Sequence, residues 1–249
     1  MIYEVSYNVG QKAAELKLPE AKLYFMGNTI TLTILYFIAI ILLLAFNELN
    51  YRMFKMKGEV TRKFAHFAAT LAVVPFPYIF DNHWYILVLA LIFFAALFVT
   101  QRIKQLNSIH DIQRKSMGSY LLPLAIYSTF LLSNKLDNKF IYILPMLILA
   151  ISDPMAAIVG MSLTKNNHKI VIFGIRTKKS LFGSGAFLIS SFIISILALY
   201  FNRGIFDLKT FWLALLIAFV STLSELISWR GSDNLTIPWS VALILLAFQ

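Results

Sequence analysis

The chain has 249 residues, 59% of them hydrophobic and only 14% charged, with a formal net charge of +10 and no cysteine. A soluble domain of this length carries about a quarter charged residues, so the composition excludes an ordinary soluble protein and points to a membrane one. The absence of cysteine excludes disulfides, thiolate catalysis and cysteine-ligated metal.

The four histidines (His66, His83, His110 and His168) are scattered without HExxH spacing, so a catalytic zinc site is not expected. Basic loops facing anionic lipid account for the positive charge without invoking nucleic acid.

In chain order, residues 1–27 are mixed and polar and lack the pattern of a cleaved signal peptide. They are expected to form a short interfacial helix as far as Pro19. The apolar runs that follow, such as "ITLTILYFIAIILLLAF", do not alternate as barrel strands do. The expected fold is therefore all-α, a polytopic transmembrane bundle of seven to eight spans. The spans fall at about 28–46, 64–80, 84–100, 119–133, 140–160, 184–201, 210–228 and 236–249. Residues 28–249 read as one multi-span domain. Connections after odd-numbered spans hold fifteen Lys and Arg residues, and the others hold four. The positive-inside rule then puts the odd connections in the cytoplasm and the N-terminus outside.

Four polar clusters lie on that side. In "RKFAH", Arg62, Lys63 and His66 share one helix face at the start of the second span, a cationic face suited to phosphate. In "LAISDPMAAIVG", Asp153 is a carboxylate inside an apolar run, and intramembrane carboxylates mark functional sites. Pro154 beside it predicts a broken helix that restarts after Asp153 as an N-cap, with Ala156 and Gly160 as a small-residue packing face.

In "GIRTKKSLFGSGAF", the donors Arg176, Lys178, Lys179 and Ser180 and the glycines Gly183 and Gly185 precede a span. Gly-rich backbone at a helix N-terminus can cradle phosphate oxygens. A P-loop is excluded, because Lys178 stands where its second glycine belongs and no buried strand precedes it. In "SELISWRGSDNLTIPW", Glu225 lies on an apolar helix, and Asp233 and Asn234 lie in the following turn. Cations at some clusters facing carboxylates at others suit a nucleoside triphosphate with a divalent metal. One-sided placement argues against a transporter, whose polar site usually lies near the midplane.

These stretches resemble the CTP-dependent polyprenol kinase family, which includes phytol, farnesol and dolichol kinases and is related to phosphatidate cytidylyltransferases. "RKFAH" matches its Arg-Lys-x-x-His, and "SDPMAAIVG" its Gly-Asp-x-x-Ala-x-x-x-Gly. "KKSLFGSGA" matches its Lys-Ser-x-x-Gly-Ser, and "DNLTIPW" its Asp-Asn-Leu-Thr-x-Pro. Ser152 replaces the usual glycine, Pro154 is unusual, and Phe182 stands where many members carry Glu.

The resemblance implies CTP as phosphoryl donor, Mg²⁺ as cofactor and a long-chain lipid alcohol as acceptor. Asp153, with Asp233 as second candidate, would hold Mg²⁺. Lys178, Lys179, Ser180, Gly183 and Asn234 would hold the nucleotide, and Arg62 and Lys63 would neutralise the transferring phosphoryl. Glu225 or His66 would orient the acceptor hydroxyl. A bacterial inner membrane, with the motifs facing the cytoplasm, is the expected location. The alternatives are a CTP-dependent cytidylyltransferase acting on a lipid phosphate, and a non-catalytic transporter or scaffold.

Overall fold

The structure, a computed structural model, describes residues 18–54, 58–102, 117–163, 167–172 and 175–248. Long apolar runs leave the backbone no solvent partner in lipid, so each must close its hydrogen bonds within a helix. The helices are α1 (Leu18–Phe54), α2 (Gly58–Val73), the single turn α3 (Phe76–Ile79), α4 (His83–Arg102), α5 (Gly118–Lys135) and α6 (Phe140–Ser162). A hairpin of β1 (Lys169–Ile172) and β2 (Ile175–Ser180) follows, then α7 (Leu181–Arg203), α8 (Leu208–Ile227) and α9 (Asp233–Ala247).

The chain divides into two compact units, Met1–Ile41 and Leu42–Gln249. In the first, the described residues are helical, and Thr33 returns its hydroxyl to the Thr29 carbonyl at 2.8 Å. The expected interfacial helix lies mostly outside the described residues. The packing and the site described below belong to the second unit.

Each expected span falls on helical chain. Thr29–Asn50, Phe140–Ser162, Leu181–Arg203 and Leu208–Ile227 have the length and apolarity to cross a membrane, while His83–Val99 and Asp233–Ala247 are shorter apolar helices. The expected second span is not continuous: α2 ends at Val73, and α3 begins only after Pro75. Proline has no N–H to continue the ladder, and its ring crowds the preceding turn.

The reverse holds at Pro154. Instead of breaking there, α6 runs unbroken through Pro145 and Pro154, and Asp153 lies inside it. Proline within a helix removes one backbone bond, which packing against neighbouring helices can offset. Indeed α6 is the most enclosed element, packed on α2, α5, α7 and α9. Ile141, Tyr142, Leu144, Met146, Ile148, Leu149 and Ala150 have no exposed surface. The Tyr142 ring meets Phe130 edge-on at 5.6 Å, and its hydroxyl donates to the Val73 carbonyl at 3.1 Å.

The turns are closed by local chemistry. Gly204 ends α7 in the left-handed region (φ 68°), where a Cβ would be strained. Asp207 caps α8 through the Thr210 amide at 2.7 Å. The hairpin, absent from an all-α reading, pairs Lys169 with Ser180 and Val171 with Arg176. A strand thus leads into α7, but as part of a two-stranded ribbon rather than a buried sheet.

Candidate active site

Chain direction brings the polar clusters to one end of the bundle. Lys63 and His66 stand near the start of α2, Asp153 on the second half of α6, and Glu225 near the end of α8. Lys179 ends the hairpin, and Asp233 opens α9. Two ion-pair centres result.

In the first, Lys63 Nζ lies 2.5 Å from Asp153 Oδ2, and His66 Nε2 lies 4.0 Å from the same oxygen. Asp153 is 2% exposed. A carboxylate so enclosed is tolerable only with a counter-ion at contact distance. Ser152 beside it is fully buried, and its hydroxyl has no partner among the described residues.

In the second, Lys179 bridges two helices. Its Nζ lies 2.6 Å from Glu225 Oε1 and 3.3 Å from Asp233 Oδ2. Burial alone would push this ammonium down, yet the surrounding Asp233, Glu225 and Asp153 carboxylates raise it above the ordinary lysine value. Lys179 therefore stays charged throughout the neutral range. The other Glu225 oxygen accepts from the Ser184 hydroxyl at 3.3 Å. Both oxygens of this 3%-exposed carboxylate are thus engaged.

The start of α7 differs from the open phosphate cradle the glycines suggested. Its first three amides already have protein acceptors. Leu181 N–H donates to the His168 carbonyl (3.0 Å), Phe182 N–H to Asn167 Oδ1 (3.2 Å) and Gly183 N–H to Ser180 Oγ (3.3 Å). Ser180 is the N-cap, and Gly183 is where α7 touches α6. A Cβ on Gly183 would lie 2.8 Å from the Ala156 carbonyl, and one on Gly160 would lie 2.9 Å from Ser180 Oγ. The expected Ala156/Gly160 packing face is present, with Gly183 and Ser180 as its partners.

This contact yields a direct expectation. Gly183→Ala should destabilise the protein by about 1–3 kcal/mol, because the atom it strikes is backbone and the helices must part. Gly185→Ala, with nothing within 4 Å of its Cβ, is the control and should be neutral. Thermal unfolding of the two detergent-solubilised variants checks this.

The remaining expected residues separate clearly. The Arg62 and Lys178 side chains lie outside the described residues. Asn234 donates its amide to the Gly118 carbonyl at 2.7 Å, while Met117 N–H bonds the Arg230 carbonyl at 2.8 Å. Asn234 thus straps the start of α5 to the start of α9, and the Met117 bond ties it to the turn before. Exposed Phe182 stands outside the buried network, so a carboxylate missing there leaves both centres intact.

Ser184 and Asn167 were not singled out in the sequence. Ser184 is the last residue of the Lys-Ser-x-x-Gly-Ser stretch, and it lies four positions after Ser180 on the same helix face. Its role was therefore signalled. Asn167, bonded to α7 and, through Nδ2, to the Gly160 carbonyl at 3.2 Å, carries no comparable sequence signal.

Among the described residues, no group of three or more His, Asp or Glu side chains is arranged to hold a metal. Asp153 and Asp233 can each offer a carboxylate oxygen. That suits Mg²⁺, which usually takes one or two carboxylates and fills its octahedron with phosphate oxygens and water. The donor set fits a phosphate-borne Mg²⁺ rather than an ion caged by protein alone.

The family model described as the cytidylyltransferase family matches residues 21–228, a range that contains Lys63, Asp153, Lys179 and Glu225. The chain belongs to the cytidylyltransferase family. A relative within reach of this family member is the phytol kinase of Synechocystis sp., 29% identical over 198 residues, which cover 79% of this chain and 82% of the relative. The phytol kinase match agrees with the motifs' resemblance to polyprenol kinases. No solved structure matches it.

Proposed function

We propose that the protein is an integral membrane kinase that transfers the γ-phosphoryl group of CTP to the primary hydroxyl of a long-chain lipid alcohol, with a phytol-like isoprenoid as the leading acceptor. The observation that carries this reading is the pair of lysine–carboxylate centres at one end of the bundle, Lys63 with Asp153 and Lys179 with Glu225 and Asp233. Phosphoryl transfer asks mainly for positioning and charge neutralisation, which these groups supply. Similarity to a phytol kinase favours the alcohol acceptor over a transport or scaffold role. The reading places the site at the cytoplasmic face of a bacterial inner membrane.

As described, both lysines are held by carboxylates. Triphosphate binding would turn Lys63 and Lys179 toward phosphate oxygens and leave Asp153 and Asp233 with oxygens free for the accompanying Mg²⁺. When bound, Mg²⁺ would offset the charge of the phosphate oxygens. In the transfer, the alcohol oxygen forms a bond to the γ-phosphorus. The bond from that phosphorus to the β,γ-bridging oxygen breaks, CDP leaves, and the hydroxyl proton passes to His66. Of the two side chains offered for the acceptor, His66 suits this better, because Glu225 is held at both oxygens.

A second reading, transfer of CMP to a lipid phosphate, is favoured by the description of the matched family. Purified protein incubated with α-labelled or γ-labelled CTP and phytol separates the two. The kinase reading expects label in lipid from the γ position alone. Lipid label from the α position supports the cytidylyltransferase and removes the kinase.

A further inference from the structure

From Leu42 onward α1 turns mostly apolar, exposed side chains outward, among them Phe46 and Leu49. The buried exceptions are Leu44 and Asn47, three positions apart and so on one face. Asn47 has no exposed surface, and among the described residues neither its amide nitrogen nor its amide oxygen has a hydrogen-bond partner. An unpaired amide in an apolar interior costs about 1–3 kcal/mol, so such a group calls for an explanation. An asparagine kept to join two helices would be bonded to the second helix, and among the described residues this one is not.

Its position supplies the explanation. Three residues separate α1 from α2, and the Phe46 and Phe64 rings meet at 6.4 Å, so the last part of α1 lies beside α2. Both rings are exposed and mark the outer edge of the seam. One residue inward from Phe46 lies Asn47, and one residue before Phe64 lies Lys63, the partner of Asp153. An antiparallel register carried through that ring contact would set Asn47 level with Lys63 and Leu44 level with His66. That register would bring the unpaired amide to the depth of the first ion-pair centre, beneath a seam edged by apolar side chains.

We propose that Asn47 binds the hydroxyl of the lipid acceptor, which enters through the α1–α2 seam with its tail along the exposed apolar faces. An amide suits a primary alcohol, since Nδ2 can donate to a lone pair of the hydroxyl oxygen and leave the hydroxyl proton for His66. This inference rests on the kinase reading and assigns the acceptor half of that site.

The test uses the full-length protein in detergent micelles, with phytol and CTP varied separately. Asn47→Leu should raise the KM for phytol about threefold to tenfold, the scale of one lost hydrogen bond, and leave the KM for CTP unchanged. It should unfold no earlier than the wild type, because it removes an amide that the folded chain does not pair. Asn47→Ala should shift the KM for phytol in the same way. A KM for phytol within twofold of wild type in both variants overturns the proposal. So does failure of both variants to fold, which would show the amide to be structural. If the wild-type protein transfers no γ-phosphoryl to phytol, farnesol or diacylglycerol, the kinase reading itself falls and this assignment falls with it.

Discussion

Asp153→Asn should lower γ-phosphoryl transfer by a factor of about 10² to 10³ or more, the scale seen when one preorganised charge-stabilising group is lost. The substitution keeps the shape of a 2%-exposed side chain and removes only its charge, so the protein should still insert and purify. It also leaves the Lys63 ammonium, which lies 2.5 Å from that carboxylate, without its counter-charge. Breaking a buried pair costs up to about 3–5 kcal/mol, and the 15% exposure of the Lys63 side chain puts this case toward the lower end. The two effects can be separated. In Asp153→Asn combined with Lys63→Met no cation is left stranded, so stability should recover while transfer stays absent. γ-Label incorporation and thermal unfolding, measured on the same preparations, give both readings. Full activity in Asp153→Asn would remove the carboxylate from the mechanism. Recovery of activity in the double variant would reduce it to a counter-ion of Lys63.

Much of this site was legible because charged residues are scarce in the chain. In apolar spans a lone Asp153 or Glu225 stands out, and desolvation forces each toward a cation. Which cation is a matter of helix packing that spacing does not encode. The sequence sets Lys63 and Asp153 ninety positions apart, and nothing local says that α2 crosses α6 at that level. The same limit explains the Asp153–Pro154 joint. Proline preference at helix starts predicts a break, but enclosure by four neighbouring helices keeps α6 continuous. The glycines misdirect for a related reason. Gly183 and Gly185 look alike in sequence, yet only Gly183 meets the backbone of another helix. Asn47 escaped notice because one amide near the end of an apolar span reads as interfacial until its burial is known.

Lys179 carries the second large expectation, because it answers two carboxylates at once. Lys179→Met should destabilise the protein by about 3–5 kcal/mol, since Glu225 at 3% exposure is left without its cation. It should also abolish transfer. Burial lowers and the three carboxylates raise this ammonium, for a net rise above the ordinary lysine value. By linkage, its stabilising contribution is fully present below the ordinary lysine range and is lost only as pH climbs through the raised value. The titration of Lys179 itself should therefore add no pH dependence to wild-type stability across neutral pH. Lys179→Arg tests the exchange itself. A guanidinium can grip Glu225 and Asp233 together through its planar fork, which should restore much of the stability. That same rigid grip opposes release to a triphosphate, so the KM for CTP should rise and transfer remain low. If Arg restores transfer along with stability, positive charge alone is enough there, and the handover from carboxylate to phosphate has no part in the reaction.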